Sequence, residues 1–142
     1  MKRLFTLFIA IALFASCSST SNLSTASNLL NNKWVLSSLA GKTDLSSLFE
    51  NKLPFLSFSN DGRITGNNGC NSLAGSFDVS TLSSGNIDLS NLISTQMACP
   101  NMTGSSQFNE MLQNVTSFKL KDQALNLLGS DGSTLASFIQ GS

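Results

Sequence analysis

The sequence predicts an α+β fold: mostly antiparallel β, a small curled sheet or incomplete barrel of about seven or eight strands with one packed helix. Three observations predict it. Short stretches with an apolar residue at every second position are separated by Gly, Asn and Asp, the pattern of half-buried strands and their turns. One segment, residues 105–118, changes to a helical period. Two cysteines, Cys70 and Cys99, fall at the ends of elements, where a bridge would tie two bends together.

The elements follow in chain order. "KWVLSSLAGK" begins at Lys33, alternates apolar with small or polar residues, and stops at Gly41. "LPFLSF", Leu53 to Phe58, reads as a strand with Pro54 near its start, where a missing N–H is tolerated. Asp61-Gly62 in "SNDGR" is a hairpin signal, and "RITG" leads back to the turn that holds Cys70. "AGSFDVS" and "NIDLSNLIST" are two further alternating pieces, separated by a "TLSSGN" loop. In these pieces Asp78 and Asp88 take the positions of solvent-facing strand residues. In "SSQFNEMLQNVTSF", Phe108, Met111, Leu112 and Val115 stand at i, i+3, i+4 and i+7, one face of a helix that covers the sheet. Thr103, Ser105 and Ser106 are the candidate N-caps. "FKLK", "ALNLLG" and "STLASFI" then close a meander, with Asp122-Gln123 in its first connection and Gly129 to Ser133 in its second.

The N-terminus reads as an export signal. Lys2 and Arg3 precede an apolar run from Leu4 to Ala15, interrupted only by Thr6. That run is shorter than the ~20 residues of a membrane-spanning helix, and it has the charge and flanks of a signal peptide. "FASC", Phe14 to Cys17, resembles a lipobox, so residues 1–16 are expected to be removed and Cys17 acylated. A plain secretory signal cut near the same place is the competing reading. Ser18 after the cysteine favours delivery to the outer membrane. Residues 17–28, "CSSTSNLSTASN", read as a lipid-anchored flexible tether, and residues 29–142 as the folded domain. The expected location is the bacterial cell envelope, with the membrane as partner through the lipid.

Loss of Lys2 and Arg3 leaves six basic side chains against eight acidic ones. No basic stripe exists, so no nucleic-acid partner is expected. About 125 residues remain, enough for one domain with a modest core. With Cys17 given to lipid, Cys70 and Cys99 are left to pair in an oxidising compartment. Such a bridge would contribute about 3–4 kcal/mol in the chain-entropy model, a large share of the ~5–15 kcal/mol that holds a typical domain folded. The opposing reading is a redox or metal site. It lacks a CxxC, and the chain has no histidine to complete a zinc set.

The missing histidine also removes Ser-His and Cys-His machinery. A carboxylate pair is the enzymatic option left, with Asp61, Asp78, Asp88, Glu110 and Asp131 as candidates. Asp61 and Asp131 each precede glycine in turns, and Glu110 lies between core-facing helix positions, where it faces water. The glycine-rich "GNNGCNSLAG" lacks the Lys-Ser/Thr pair of a phosphate loop and the βαβ setting of a dinucleotide site. No catalytic, cofactor-binding or metal residue is therefore expected, and no cofactor.

The chain resembles the META domain family, which includes the HslJ-like bacterial lipoproteins. The resemblance is carried by "W-x-L-x-x-L-x-G" at Trp34 to Gly41, by "FSNDGRITGNNGCNSLAGSF" at Phe58 to Phe77, and by "TQMAC" at Thr95 to Cys99. Its motif turn falls on Asp61, Gly62, Gly66, Gly69, Asn71 and Gly75. The resemblance implies a small, mostly β domain, a lipoprotein signal in many bacterial members, and an association with heat shock and tolerance of novobiocin. It implies no catalytic residue. Phe77 and Gln107 depart from the family, which more often has a hydroxylated aromatic and a Glu there. Two functions are expected in order: a non-enzymatic envelope lipoprotein acting in stress or antibiotic tolerance through binding or structural contacts, and a protein-binding inhibitor or assembly chaperone. The second would present "TLSSGN" or the region before Pro54 as an exposed loop or groove to an envelope protein.

Overall fold

The structure, a computed structural model, describes residues 26–50 and 52–142. The expected signal peptide, Cys17 and most of the expected tether lie outside the described residues. The strands are β1 (Lys33–Leu39), β2 (Phe55–Phe58), β3 (Arg63–Asn67), β4 (Ser72–Ser76), β5 (Ile93–Ser94), β6 (Ser117–Lys121), β7 (Ala124–Leu128) and β8 (Thr134–Gln140). The helices are α1 (Ser46–Phe49) and α2 (Thr103–Gln113), with a 3₁₀ helix at Val79–Ser84.

All eight strands form one antiparallel sheet in the order β5-β4-β3-β2-β1-β8-β7-β6. Each strand pairs with its neighbour in the chain except β5 and β6, which lie at opposite ends of the order, and a single long-range pairing, β1 with β8, joins the two halves. The turns follow the sequence. Asp122 and Gln123 both take positive φ, 51° and 62°, in a two-residue β6–β7 connection, the geometry that matches the twist of a hairpin. At this same end of the order a non-strand segment pairs with the edge of β6. The Ile87 N–H donates to the Thr116 carbonyl at 3.2 Å and the Phe118 N–H to the Gly85 carbonyl at 2.9 Å. Residues 85–87 thereby cover the exposed edge of β6, which would otherwise be a template for pairing.

One face of each strand builds the core. Trp34 and Leu36 of β1 point inward, and a register shift between Leu36 and Ser38 brings Leu39, not Ser38, to the same face; an extra residue in one strand has that effect. Leu56, Phe58, Ile64, Leu73, Phe118, Leu125, Leu127, Ala136 and Phe138 complete the sheet's contribution. Helix α2 lays Phe108, Met111 and Leu112 on it, followed by Val115, all buried as its period predicts. Phe108 meets Phe138 edge to face, with ring centroids 6.2 Å apart.

Several expectations need correction. Residues 26–29 are helical, Ala26 packs against the core and Leu29 is fully buried. The Leu29 carbonyl also accepts the Trp34 indole N–H at 3.0 Å. The last residues assigned to the tether, 26–28, therefore belong to the folded body. The "TLSSGN" segment is not a loop but the 3₁₀ helix and its exit at Gly85. Asp78 and Asp88 are exposed but sit in turns rather than strands. "NIDLSNLIST" supplies only the two residues of β5. Helix α1, four residues long, has no sequence period of its own. None of the hydroxyl side chains proposed for α2 caps it: the Asn101 side-chain oxygen accepts the Thr103 N–H at 3.0 Å.

Candidate functional site

The polar architecture of the domain is concentrated where β3 turns into β4. Residues 68–71 leave the sheet there, and three asparagines at or beside the turn, Asn67, Asn68 and Asn71, are buried with no buried side-chain polar atom left without a partner. Each replaces a partner that the interrupted ladder would have supplied. The Asn67 side-chain oxygen accepts the Gly69 N–H at 2.8 Å. Asn68 accepts the N–H groups of Cys70 and Asn71 at 3.1 and 2.7 Å, and its amide donates to the Asn109 side chain on α2 at 3.1 Å. Asn71 reaches the other way. It accepts the Met97 N–H at 2.7 Å and the Thr95 hydroxyl at 3.0 Å, and it donates to the Met97 carbonyl at 3.3 Å. A buried polar network whose members are all satisfied rigidifies its surroundings.

This network positions the disulfide. Cys70 and Cys99 are bonded, with Cα atoms 6.1 Å apart, so the bridge expected from the cysteine count is present. Cys70 has few apolar neighbours in sequence but finds them in space: it is 4% exposed and lies 3.8 Å from the Met102 sulfur. The Asn71 amide approaches the Cys70 sulfur at 3.3 Å. Gly69, at φ 94°, stands where a Cβ would come within 2.6 Å of the Phe49 ring, so α1 closes against the turn only because glycine is there. Two grooves flank the bridge. One, of about 250 Å³, includes Phe49, Lys52, Gly69, Cys99 and Pro100. The other, of about 340 Å³, runs past Asn71, Met97, Met102 and Asn109.

The motif residues do not gather in one place. Asp61 and Gly62 form the β2–β3 turn at one end of β3, where the Phe77 N–H donates to the Gly62 carbonyl at 2.8 Å. Gly69 and Asn71 sit at its other end. Gly66 and Gly75 lie within β3 and β4, opposite Leu56 and Ile64. Phe77 is in the core, edge to face with Phe58 at 5.7 Å, so the residue without a hydroxyl fills an apolar position. Gln107 is exposed on α2.

The candidate carboxylates are likewise dispersed, and each aspartate serves its own backbone. Asp78 accepts from the Ser80 hydroxyl and N–H, and Asp131 from those of Ser133, at 2.6–2.9 Å. Asp88 accepts the Ser90 N–H at 2.8 Å. Asp44, outside the candidate set, likewise accepts from the Ser46 hydroxyl and N–H at the start of α1. Asp61 accepts the Arg63 N–H and pairs with its guanidinium at 2.7 Å. The Ser hydroxyls hold Asp44, Asp78, Asp88 and Asp131 below the usual carboxylate value of 3.8, and the Arg63 N–H does so for Asp61. A general acid needs the opposite shift. The signal that locates four of these turns is the repeated D-x-S: Asp44-Leu45-Ser46, Asp78-Val79-Ser80, Asp88-Leu89-Ser90 and Asp131-Gly132-Ser133. Glu110 is exposed on α2. Among the described residues, no three His, Cys, Asp or Glu side chains are placed to hold a metal.

The META domain model matches residues 27–141. A protein structure solved by NMR is similar at 27% identity with a TM-score of 0.61, over 81% of this chain and 94% of that one. The crystal structure of a DUF4847 family protein from Bacteroides vulgatus ATCC 8482 is similar at 16% identity with a TM-score of 0.54, over 78% of this chain and 93% of that one; at that identity the likeness is one of fold. No curated protein matches the chain.

Proposed function

The chain belongs to the META domain family, and on that premise we propose that it is an HslJ-like, non-enzymatic lipoprotein of the bacterial envelope. It is anchored through Cys17 at the outer membrane, as Ser18 after the cysteine favours, and supports stress or antibiotic tolerance through contacts rather than turnover. The observation that carries this reading is the Cys70–Cys99 bridge. A structural disulfide at the centre of a small domain belongs to an oxidising compartment, which is where the N-terminal signal would send it. The carboxylates support the second half of the reading. Asp61, Asp78, Asp88 and Asp131 are committed to backbone N–H groups that favour the charged form, the opposite of the shift a general acid needs.

The test is complementation in a strain that lacks the protein and has lost tolerance of heat or novobiocin. Single neutral variants (D61N, D78N, D88N, E110Q and D131N) are expected to restore tolerance fully, and Cys17→Ser to fail while accumulating away from membranes. Loss of tolerance in any folded carboxylate variant would point to catalysis. The inhibitor or chaperone reading draws on exposed apolar side chains near the β5 edge: Ile93 is 72% exposed, Met97 57% and Met102 41%. Crosslinking in intact cells followed by pull-down separates the two. A single protein captured through Ile93 or Met97 favours the inhibitor or chaperone, and capture of no single protein favours a general structural role.

A further inference from the structure

The two sulfurs of the bridge are not equivalent. Cys70 is buried, covered by the Met102 sulfur at 3.8 Å and the Met97 carbonyl at 3.6 Å, with the Asn71 amide N–H directed at its sulfur from 3.3 Å. Cys99 is partly exposed and lines the groove of about 250 Å³ beside Phe49, Gly69 and Pro100. Thiol–disulfide exchange depends on access to the attacked sulfur and on how well the leaving sulfur carries negative charge. Here the two requirements fall on different atoms. Cys99 offers the access. Cys70 carries the hydrogen-bond donor: the Asn71 amide N–H favours its thiolate form and offsets the opposing effects of burial and the Met97 carbonyl.

We propose that Cys99 is the site at which small thiols and thiol oxidoreductases modify this protein, forming a mixed disulfide through the groove with Cys70 as the leaving group. The thiolate of the incoming molecule attacks the Cys99 Sγ, a new S–S bond forms there, and the Cys70–Cys99 bond breaks. The electron pair leaves on Cys70 Sγ, which holds it as the thiolate against the Asn71 amide. Re-attack by the Cys70 thiolate on Cys99 Sγ re-forms the Cys70–Cys99 bond, breaks the mixed disulfide and releases the modifier as its own thiolate. The domain thus carries a reversible modification site with a fixed polarity. That polarity is independent of whether the protein acts by contacts or by catalysis.

The probe is reduced glutathione, added to the purified chain with its bridge intact and quenched with N-ethylmaleimide, followed by peptide mapping. Glutathione is expected on Cys99 and maleimide on Cys70, with the glutathione preference about tenfold or more. Glutathione on Cys70, equal labelling, or no adduct on Cys99 overturns the assignment. Asn71→Asp keeps the oxygen that accepts from Met97 and Thr95 but removes the donor facing Cys70 and adds negative charge. Reduction of the folded variant by dithiothreitol is expected to slow by about tenfold. An unchanged rate removes Cys70 from the leaving-group role. If the variant does not fold, the wild-type map decides alone.

Discussion

Replacing Cys99 with Ser removes the bridge at its exposed end and leaves the Cys70 thiol in its buried seat. The bridge spans a sequence separation of 29, and a loop of that length withholds about 3.6 kcal/mol of chain entropy from the unfolded state. The native geometry around it is otherwise supported. Asn68 and Asn71 hold the turn and the Thr95–Met97 segment by their own hydrogen bonds, so the loss should be close to the loop term and not much larger. With a urea slope of about 1.5–2 kcal/mol per molar, the midpoint should drop by about 2 M. Equilibrium urea unfolding followed by the fluorescence of Trp34, the chain's single Trp, reads this directly. Wild type with its bridge reduced should unfold within about 1 kcal/mol of the variant, since both share the same open chain. A variant midpoint within about 0.5 M of oxidised wild type would refute the assignment of the bridge as a main support of the fold.

Three further outcomes are expected. Phe108→Ala empties a fully buried position that meets Phe138 edge to face, and should cost about 3–5 kcal/mol in denaturant unfolding; surface-like tolerance would contradict the packing of α2. Gly104→Ala would ordinarily strengthen a helix by about 1 kcal/mol, but here the new Cβ would run into the Leu48 carbonyl oxygen and come within 2.7 Å of the Phe49 ring. The sign should reverse to a loss of about 1–3 kcal/mol, and a gain in melting temperature would show that α1 does not close on α2. Finally, Asp44, Asp61, Asp78, Asp88 and Asp131 are all held below their unfolded value of 3.8. Their contribution is therefore complete above that value and is lost as the pH falls through the lower folded values. With no histidine in the chain, the melting temperature should stay level between about pH 5 and 8 and decline only below about pH 4. A transition near pH 6 would contradict this.

The parts of this molecule legible in its sequence are those where one residue pattern has one physical meaning. Period-two alternation in "LPFLSF" and "ALNLLG" places Leu56, Phe58, Leu125 and Leu127 in the core, where they are found. Asp61-Gly62 and Asp122-Gln123 mark hairpins that exist. The i, i+3, i+4, i+7 spacing identifies α2, and the pairing of Cys70 with Cys99 follows from counting. The misreadings fall where an aspartate can serve two purposes. In "FDVS" and "NIDLS" the alternation of apolar residues imitates a strand, but Asp78 and Asp88 each accept the N–H of the serine two residues later and bend the chain away. The D-x-S spacing distinguishes the two cases, and it also marks the start of α1. The tether ends before residue 26 and not at 28: Ala26, Leu29 and Leu30 stand at i, i+3 and i+4, a single turn too short to show as a period after the polar run that precedes it. They are ordered by the core they touch. The asparagine network was not legible at all, because Asn68 reaches Asn109 and Asn71 reaches Met97 across long stretches of chain.

The most direct measurement is the intact mass of the protein extracted from the membranes of the cells that make it. The expected mass is that of a chain beginning at Cys17, increased by acyl groups on that residue and reduced by the two hydrogens lost when Cys70 and Cys99 join. A chain that retains Met1, or one that begins beyond Cys17 without lipid, would contradict the anchor. Two alkylatable thiols at Cys70 and Cys99 would contradict the envelope location that the bridge supports.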